Sequence, residues 1–254
     1  ASPVAAAAAE AFPEASLPAT AFSATELPVT AFAATAYGKT ILEGLPCTVQ
    51  VGRLDAEGFR QALADADAVA DASHPFAAEV TRTVRTVCRE LKLPYFRLGR
   101  PPVQYAYDQI LRVQSKEEAV AHLRKTAGNI LLTTGGNTLA FYEQAVPDFA
   151  VRGYARILDT PDSRQMTAGS QAHLIFAVPP FSAQQTLELL QKYQIAVLVS
   201  KDSGMRGGVA EKVQAAKVMG IPVILIAPPA EATMTLPEMQ KALLACAEKE
   251  RKQI

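Results

Sequence analysis

The chain of 254 residues has no tryptophan, only three cysteines and three histidines, and no glycine before Gly38. Cys47, Cys88 and Cys246 are isolated, odd in number and outside any CxxC spacing. That speaks against a disulfide framework or a zinc site and fits a reducing cytoplasm. His74, His122 and His173 also lack ligand spacing, so no metal is expected. Neither charge sign is in excess: 25 basic residues face 25 acidic ones. This balance argues against a general attraction to nucleic acid or to an anionic membrane, although a local basic pocket stays open. No apolar run reaches the ~18 residues of a membrane span. The alanine-rich start lacks a basic region and a long aliphatic stretch, and does not read as a signal peptide.

What is present is 49% hydrophobic residues, enough for one large or two small domains with real cores. From about residue 48 onward, short apolar runs alternate with helical patterns. Expected strands are Cys47–Val51, Ala68–Ala72, Tyr95–Leu98, Gln109–Val113, Asn129–Thr133, His173–Ala177, Ala196–Ser200 and Val223–Ile226. Between them helices are expected at Ala56–Ala64, Ala77–Leu91, Lys116–Thr126, Ser182–Gln194 and Ala210–Met219, with Ser115 and Ser182 as N-caps. Strand–helix alternation means βαβ units and parallel sheets, an α/β fold. The Pro-Pro stretch Gly99–Tyr107 divides two such sets, predicting domains at 1–102 and 103–254, the second closed by a helix at Leu236–Lys249.

The first 36 residues differ. They hold a near-repeat of period ten, LPATAFSAT at 17–25 and LPVTAFAAT at 27–35. A doubly wound domain usually opens with a strand and a glycine-rich turn that brings phosphate to a helix N-terminus. That turn is missing, so residues 1–26 are atypical and suggest a truncated or rearranged N-terminus.

Three strand ends carry polar decoration. In DASHPFAAE (71–79), Asp71, Ser73 and His74 lie where open α/β sheets bind ligands, and His74 is a candidate acid or base. The plainer reading has Ser73 capping the next helix, with Pro75 in its first turn. In LLTTGGNT (131–138), Thr133, Thr134 and Gly135 suit a phosphate or carboxylate cradle, but no Walker lysine follows. An ordinary strand–turn–helix junction explains this stretch equally well. In VLVSKDSG (197–204), Ser200, Lys201, Ser203 and Gly204 are followed by Arg206 and Lys212, and Lys201 and Arg206 beside glycines suit anionic groups. A solvated Lys201–Asp202 pair is the alternative. Repetition of the same pattern at three strand ends favours function.

Together with LPVTAFAATAYG, VGRLDAEGF, YFRLGRPP and EKVQAAKVMGIPVILIAPP, these motifs resemble the precorrin-6A reductase family, its cobalt-precorrin-6A branch included. The likeness covers roughly residues 27–229, and the order and spacing of the motifs are more specific than any one of them. It implies two Rossmann-like domains with mainly parallel sheets and an active cleft between them. It also implies NADPH without flavin or metal, and reduction of one double bond in a multiply carboxylated corrin precursor. Thr35, Tyr37 and Gly38 match a loop of the family, and the polar residues of the three strand ends match motifs facing its cleft. Substrate carboxylates would meet helix N-termini and Lys201, Arg97 and Arg206. The family's Gly-Gly-Thr turn has no counterpart, so no contact to the cofactor phosphates is carried over. Two other classes fit the same residues: another dinucleotide-dependent oxidoreductase, and a non-catalytic tetrapyrrole-binding protein. Neither the oligomeric state nor the presence of cobalt in the substrate is legible.

Overall fold

The computed structural model describes residues 4–7, 28–204 and 207–251. The chain divides into two compact units, one made of Ala1–Pro101 with Pro229–Ile254, the other of Pro102–Pro228.

The first unit holds a five-stranded parallel sheet of β1 (Val4–Ala7), β2 (Val29–Ala33), β3 (Thr48–Val51), β4 (Val69–Asp71) and β5 (Tyr95–Arg97). Its order is β3-β2-β1-β4-β5. The chain therefore starts at the centre, winds out through β2 to β3, and returns to the other side at β4. The carboxyl ends of β1 and β4 flank the point where the winding reverses, the usual ligand crevice of such sheets. Helices α1 (Ala36–Leu42), α2 (Ala56–Ala62) and α3 (Ala78–Glu90) make the crossovers. Phe32, Phe59, Leu63, Val69, Val84 and Val87 form the core between sheet and helices. α2 starts where it does because Asp55 accepts the Gly58 amide at 2.8 Å.

The second unit has a six-stranded parallel sheet of β6 (Ile110–Val113), β7 (Asn129–Thr133), β8 (Gly153–Leu158), β9 (His173–Ala177), β10 (Ile195–Lys201) and β11 (Val223–Ile226). The order β6-β11-β10-β7-β8-β9 places its reversal between β7 and β10. Here the helices are α4 (Lys116–Leu123), α5 (Leu139–Ala145), α6 (Phe149–Arg152), α7 (Pro161–Met166), α8 (Ala183–Lys192) and α9 (Val209–Met219). Ser115 accepts the Glu118 amide at the start of α4, and Ser182 with Gln185 forms a full capping box on α8. Leu131, Leu190, Leu198, Val209, Val213, Val223 and Leu225 pack into one core, which puts α8 and α9 over the same face of the sheet.

The closing helix α10 (Leu236–Arg251) belongs to the first unit, not to the C-terminal one in which the sequence pattern put it. The returning chain is stitched to β5: Met234 N–H donates to Arg97 O, and Gly99 N–H donates to Met234 O, both at 2.8 Å. A Cβ on Gly99 would lie 2.3 Å from Thr233 Oγ1, so only glycine lets the segment approach that closely.

Candidate active site

At the end of β4 the polar residues form one buried network. Arg97 and Asp71 are 4% and 1% exposed and pair at 3.0 Å. From Nη1, Arg97 also donates to Asp71 O, Ser73 O and Ser73 Oγ, and from Nη2 to His74 O at 3.3 Å. Its Nε donates to Glu231 at 3.2 Å. The second Asp71 oxygen accepts the Tyr95 hydroxyl at 2.6 Å, and its first accepts the Ser73 amide. Burial, and next the Asp71 carboxylate, push the Tyr95 phenol far above its ordinary range. Arg97 is thus the internal anchor of the β4–α3 loop, a correction to its reading as a group that meets substrate carboxylates. Its guanidinium is spent on the loop.

Ser73 does not cap α3. Its hydroxyl lies between Arg97 and the buried Thr81 Oγ1, and the N-cap position is Ala77, with no side-chain bond. The first turn of α3 therefore keeps backbone N–H groups beside the crevice. His74 is half-buried, and its Nδ1 accepts the Phe76 amide at 3.2 Å. An acceptor at Nδ1 places the neutral ring's proton on Nε2.

Thr35 caps α1, accepting the Gly38 amide at 3.1 Å, and Gly38 is buried in the helix. Tyr37 sits in the first turn of α1. Among the described residues, no hydrogen bond joins this cap to the Asp71 network.

In the second unit, Thr133 and Ser200 are register partners at the ends of β7 and β10. Thr133 Oγ1 donates to Val199 O at 3.0 Å, locking the two strands at the reversal. Thr134 bonds the Thr138 hydroxyl at 2.8 Å, closing the turn over Gly135 and Gly136. Gly135 has φ of 86°, a left-handed value natural to glycine, and open space where a Cβ would stand. Past β10, Ser203 is buried against Gly207, whose Cβ would fall 1.5 Å from Ser203 Oγ; the two loop ends touch backbone to side chain. Asp202 forms an ion pair with Arg112, and Lys201 ends β10 half-buried. Gly204 is buried with φ of 76°. Arg206 lies outside the described residues.

Sequence reasoning did not assign Tyr95, Thr81, Arg156 or Lys212 to the site. Lys212 on α9 donates to Ser200 Oγ at 3.2 Å and to Gly207 O at 3.3 Å. Burial, helped by the charge of Arg156, pushes its ammonium down to about 8. Among the described residues no cluster of His, Cys, Asp or Glu could hold a metal ion.

Two parallel α/β units, each with polar residues gathered where its strand winding reverses, define an open-sheet α/β architecture that binds ligands at the carboxyl ends of its strands. The comparisons narrow this class. The family model of precorrin-6x reductase CbiJ/CobK matches residues 13–247, and the chain belongs to that family. It is 35% identical over 187 residues to the cobalt-precorrin-6A reductase of Priestia megaterium, covering 71% of this chain and 73% of the relative. It is likewise 35% identical over 176 residues to the precorrin-6A reductase of Mycobacterium tuberculosis (strain ATCC 25618 / H37Rv), covering 68% of each. A solved structure of CobK precorrin-6A reductase shares the fold, with a TM-score of 0.69 at 23% identity over 97% of this chain and 98% of that one.

Proposed function

We propose that the chain reduces one double bond of precorrin-6A, or of its cobalt-containing counterpart, to the 6B form in cobalamin synthesis, with NADPH as reductant. The observation that carries this reading is the family match over residues 13–247. A nicotinamide dinucleotide suits the first unit, whose strand order is that of dinucleotide-binding sheets. The choice of NADPH over NADH is supported by the end of β2. In NAD-binding sheets a carboxylate there takes the ribose 2′-hydroxyl. Here no acidic residue occurs from Val29 to Leu42, and Thr35 and Lys39 stand in its place.

When bound, NADPH supplies the hydride. The chain's own residues position and protonate. Arg97, held by Asp71, fixes the carbonyls of Ser73 and His74 and so the place of the imidazole. His74 is the candidate proton donor to the neighbouring carbon, acting from its imidazolium form, and solvent is the alternative. Thr133, Thr134, Gly135, Ser200, Lys201, Ser203 and Gly204 at the edge of the second unit offer hydroxyls, backbone amides and a cation to the acidic groups of the ring. Arg206 and Tyr37 are retained as ligand contacts on the family likeness alone.

Calorimetry with NADPH, using NADH as control, tests the reading. Tight binding selective for NADPH, followed by its oxidation on adding the corrin precursor, is the expected result. Binding of the tetrapyrrole with no affinity for either nucleotide would overturn the reductase reading and favour a non-catalytic carrier.

A further inference from the structure

In the second unit a buried Arg156 and a partly buried Lys212 form no ion pair with a carboxylate among the described residues. Arg156 is the fourth residue of β8 and only 7% exposed. Its one hydrogen bond among the described residues goes to Thr186 Oγ1 of α8 at 3.3 Å, and Phe181 covers its guanidinium at 4.1 Å. Lys212 reaches down from α9 and spends two donors on neutral oxygens, Ser200 Oγ and Gly207 O. Glu211 precedes it on the helix but forms no ion pair with it, and one Glu211 carboxylate oxygen is itself buried without a hydrogen-bond partner.

Register brings the two cations together. Leu132 pairs with Ala155, and Ser200 pairs with Thr133, so Arg156, Thr133 and Ser200 fall on one level of three adjacent strands. Side chains at one level of a parallel sheet share a face. This face is the one covered by α8 and α9, as the packing of Leu131, Leu198 and Leu225 shows. Four polar side chains, two of them positive, thus close the carboxyl end of an otherwise apolar face, beside the β7–β10 reversal. Burial brings Arg156 down to about 10; at Lys212 burial and then Arg156 lower the ammonium, and the charge of Glu211 opposes them. A buried cation without a hydrogen-bonded anion costs stability, and a bound carboxylate offsets that cost beyond what the unbonded Glu211 oxygen nearby supplies.

We infer that Arg156 and Lys212, beside Thr133 and Ser200, form a subsite for one carboxylate of the macrocyclic substrate. The two cations supply the donors, because the hydroxyls give their protons to Val199 O and Lys201 O. The guanidinium retains most of its N–H donors for the two oxygens, and the ammonium retains its third. Thr133 and Lys212, both only partly buried, mark the way in. The identity of the acid rests on the reductase reading; the existence of the site does not.

The experiment therefore has two arms. In the first, thermal unfolding is followed with propionate replacing chloride at constant ionic strength. The unsubstituted chain should melt about 1–2 °C higher in propionate, and Arg156→Met and Lys212→Met should lose that rise. Arg156→Lys, which keeps the charge in the same place, should retain part of it and guards against a variant that fails to fold. In the second arm, steady-state reduction of the corrin precursor is measured. KM for the precursor should rise about tenfold or more in either methionine variant, with NADPH affinity unchanged. A propionate rise that survives in both methionine variants overturns the site. Loss of NADPH affinity with an unmoved precursor KM overturns the assignment to a substrate carboxylate. Absence of any reductase activity in the unsubstituted chain would sink the reductase reading alone, because the propionate arm still reports on the site.

Discussion

Arg97 and Asp71 form a buried ion pair at 3.0 Å that ties the ends of neighbouring strands β5 and β4 together and carries the loop bearing His74. Removing one partner leaves a charge in a site closed to water. Arg97→Met is expected to lower stability by about 3–5 kcal/mol, the usual cost of breaking such a pair. Arg97→Lys should recover only part of the loss, since an ammonium cannot span the oxygens of Asp71, Ser73 and His74 as a planar guanidinium does. Urea unfolding at neutral pH checks both. A loss under about 1 kcal/mol in Arg97→Met would mean that the pair is not the anchor described here.

The His74 side chain allows its two nitrogens to be tested apart. Asparagine places an amide oxygen close to the position of Nδ1, so His74→Asn should keep the acceptor for the Phe76 amide, now bonded at 3.2 Å, while removing the Nε2 donor. Its stability should stay within about 0.5 kcal/mol of the unsubstituted chain. If His74 delivers the proton, kcat should fall by about 100-fold, with NADPH binding little changed. An unchanged kcat would assign the proton to solvent and leave His74 as part of the loop.

The sequence pattern exposed the strand ends better than the strands. Thr133 and Ser200 were visible because apolar runs stop abruptly at polar residues, which is what a strand covered on both faces does on leaving the sheet. β8 was missed for the same physical reason in reverse: Arg156 interrupts its apolar run, and a pattern cannot show that Arg156 is buried regardless. β1, Val-Ala-Ala-Ala, has three alanines of low strand preference and is defined by pairing with β2 and β4. Arg97 was legible as a cation near the site, but its partner sits 26 residues earlier, a fact of tertiary structure. The placement of α10 likewise depends on the bonds of Met234 to β5, which leave no local trace.

Lys212 gives the second unit a pH signature of known sign. Its ordinary value is 10.5, and burial first, then Arg156, brings it down to about 8 in the folded chain. Below pH 8 both folded and unfolded chains hold the proton, and the folded state bears the full cost of the buried charge. Between about 8 and 10.5 the folded chain releases the proton while the unfolded chain keeps it, so unfolding takes up a proton and stability rises with pH. The gain is on the order of 3 kcal/mol at most. Cys88 acts in the opposite direction: burial raises its thiol to about 11, and stability is lost once the unfolded thiol ionises above 9. Comparison with Lys212→Met cancels that term. The difference in unfolding free energy between the two proteins should be flat up to pH 7.5 and then shift in favour of the unsubstituted chain, approaching about 1.4 kcal/mol per pH unit near pH 9. A difference that stays constant from pH 7 to 10 would show that the ammonium is solvated. A carboxylate seated between Lys212 and Arg156 stabilises the charged form, so saturating propionate should move the onset of the rise to higher pH.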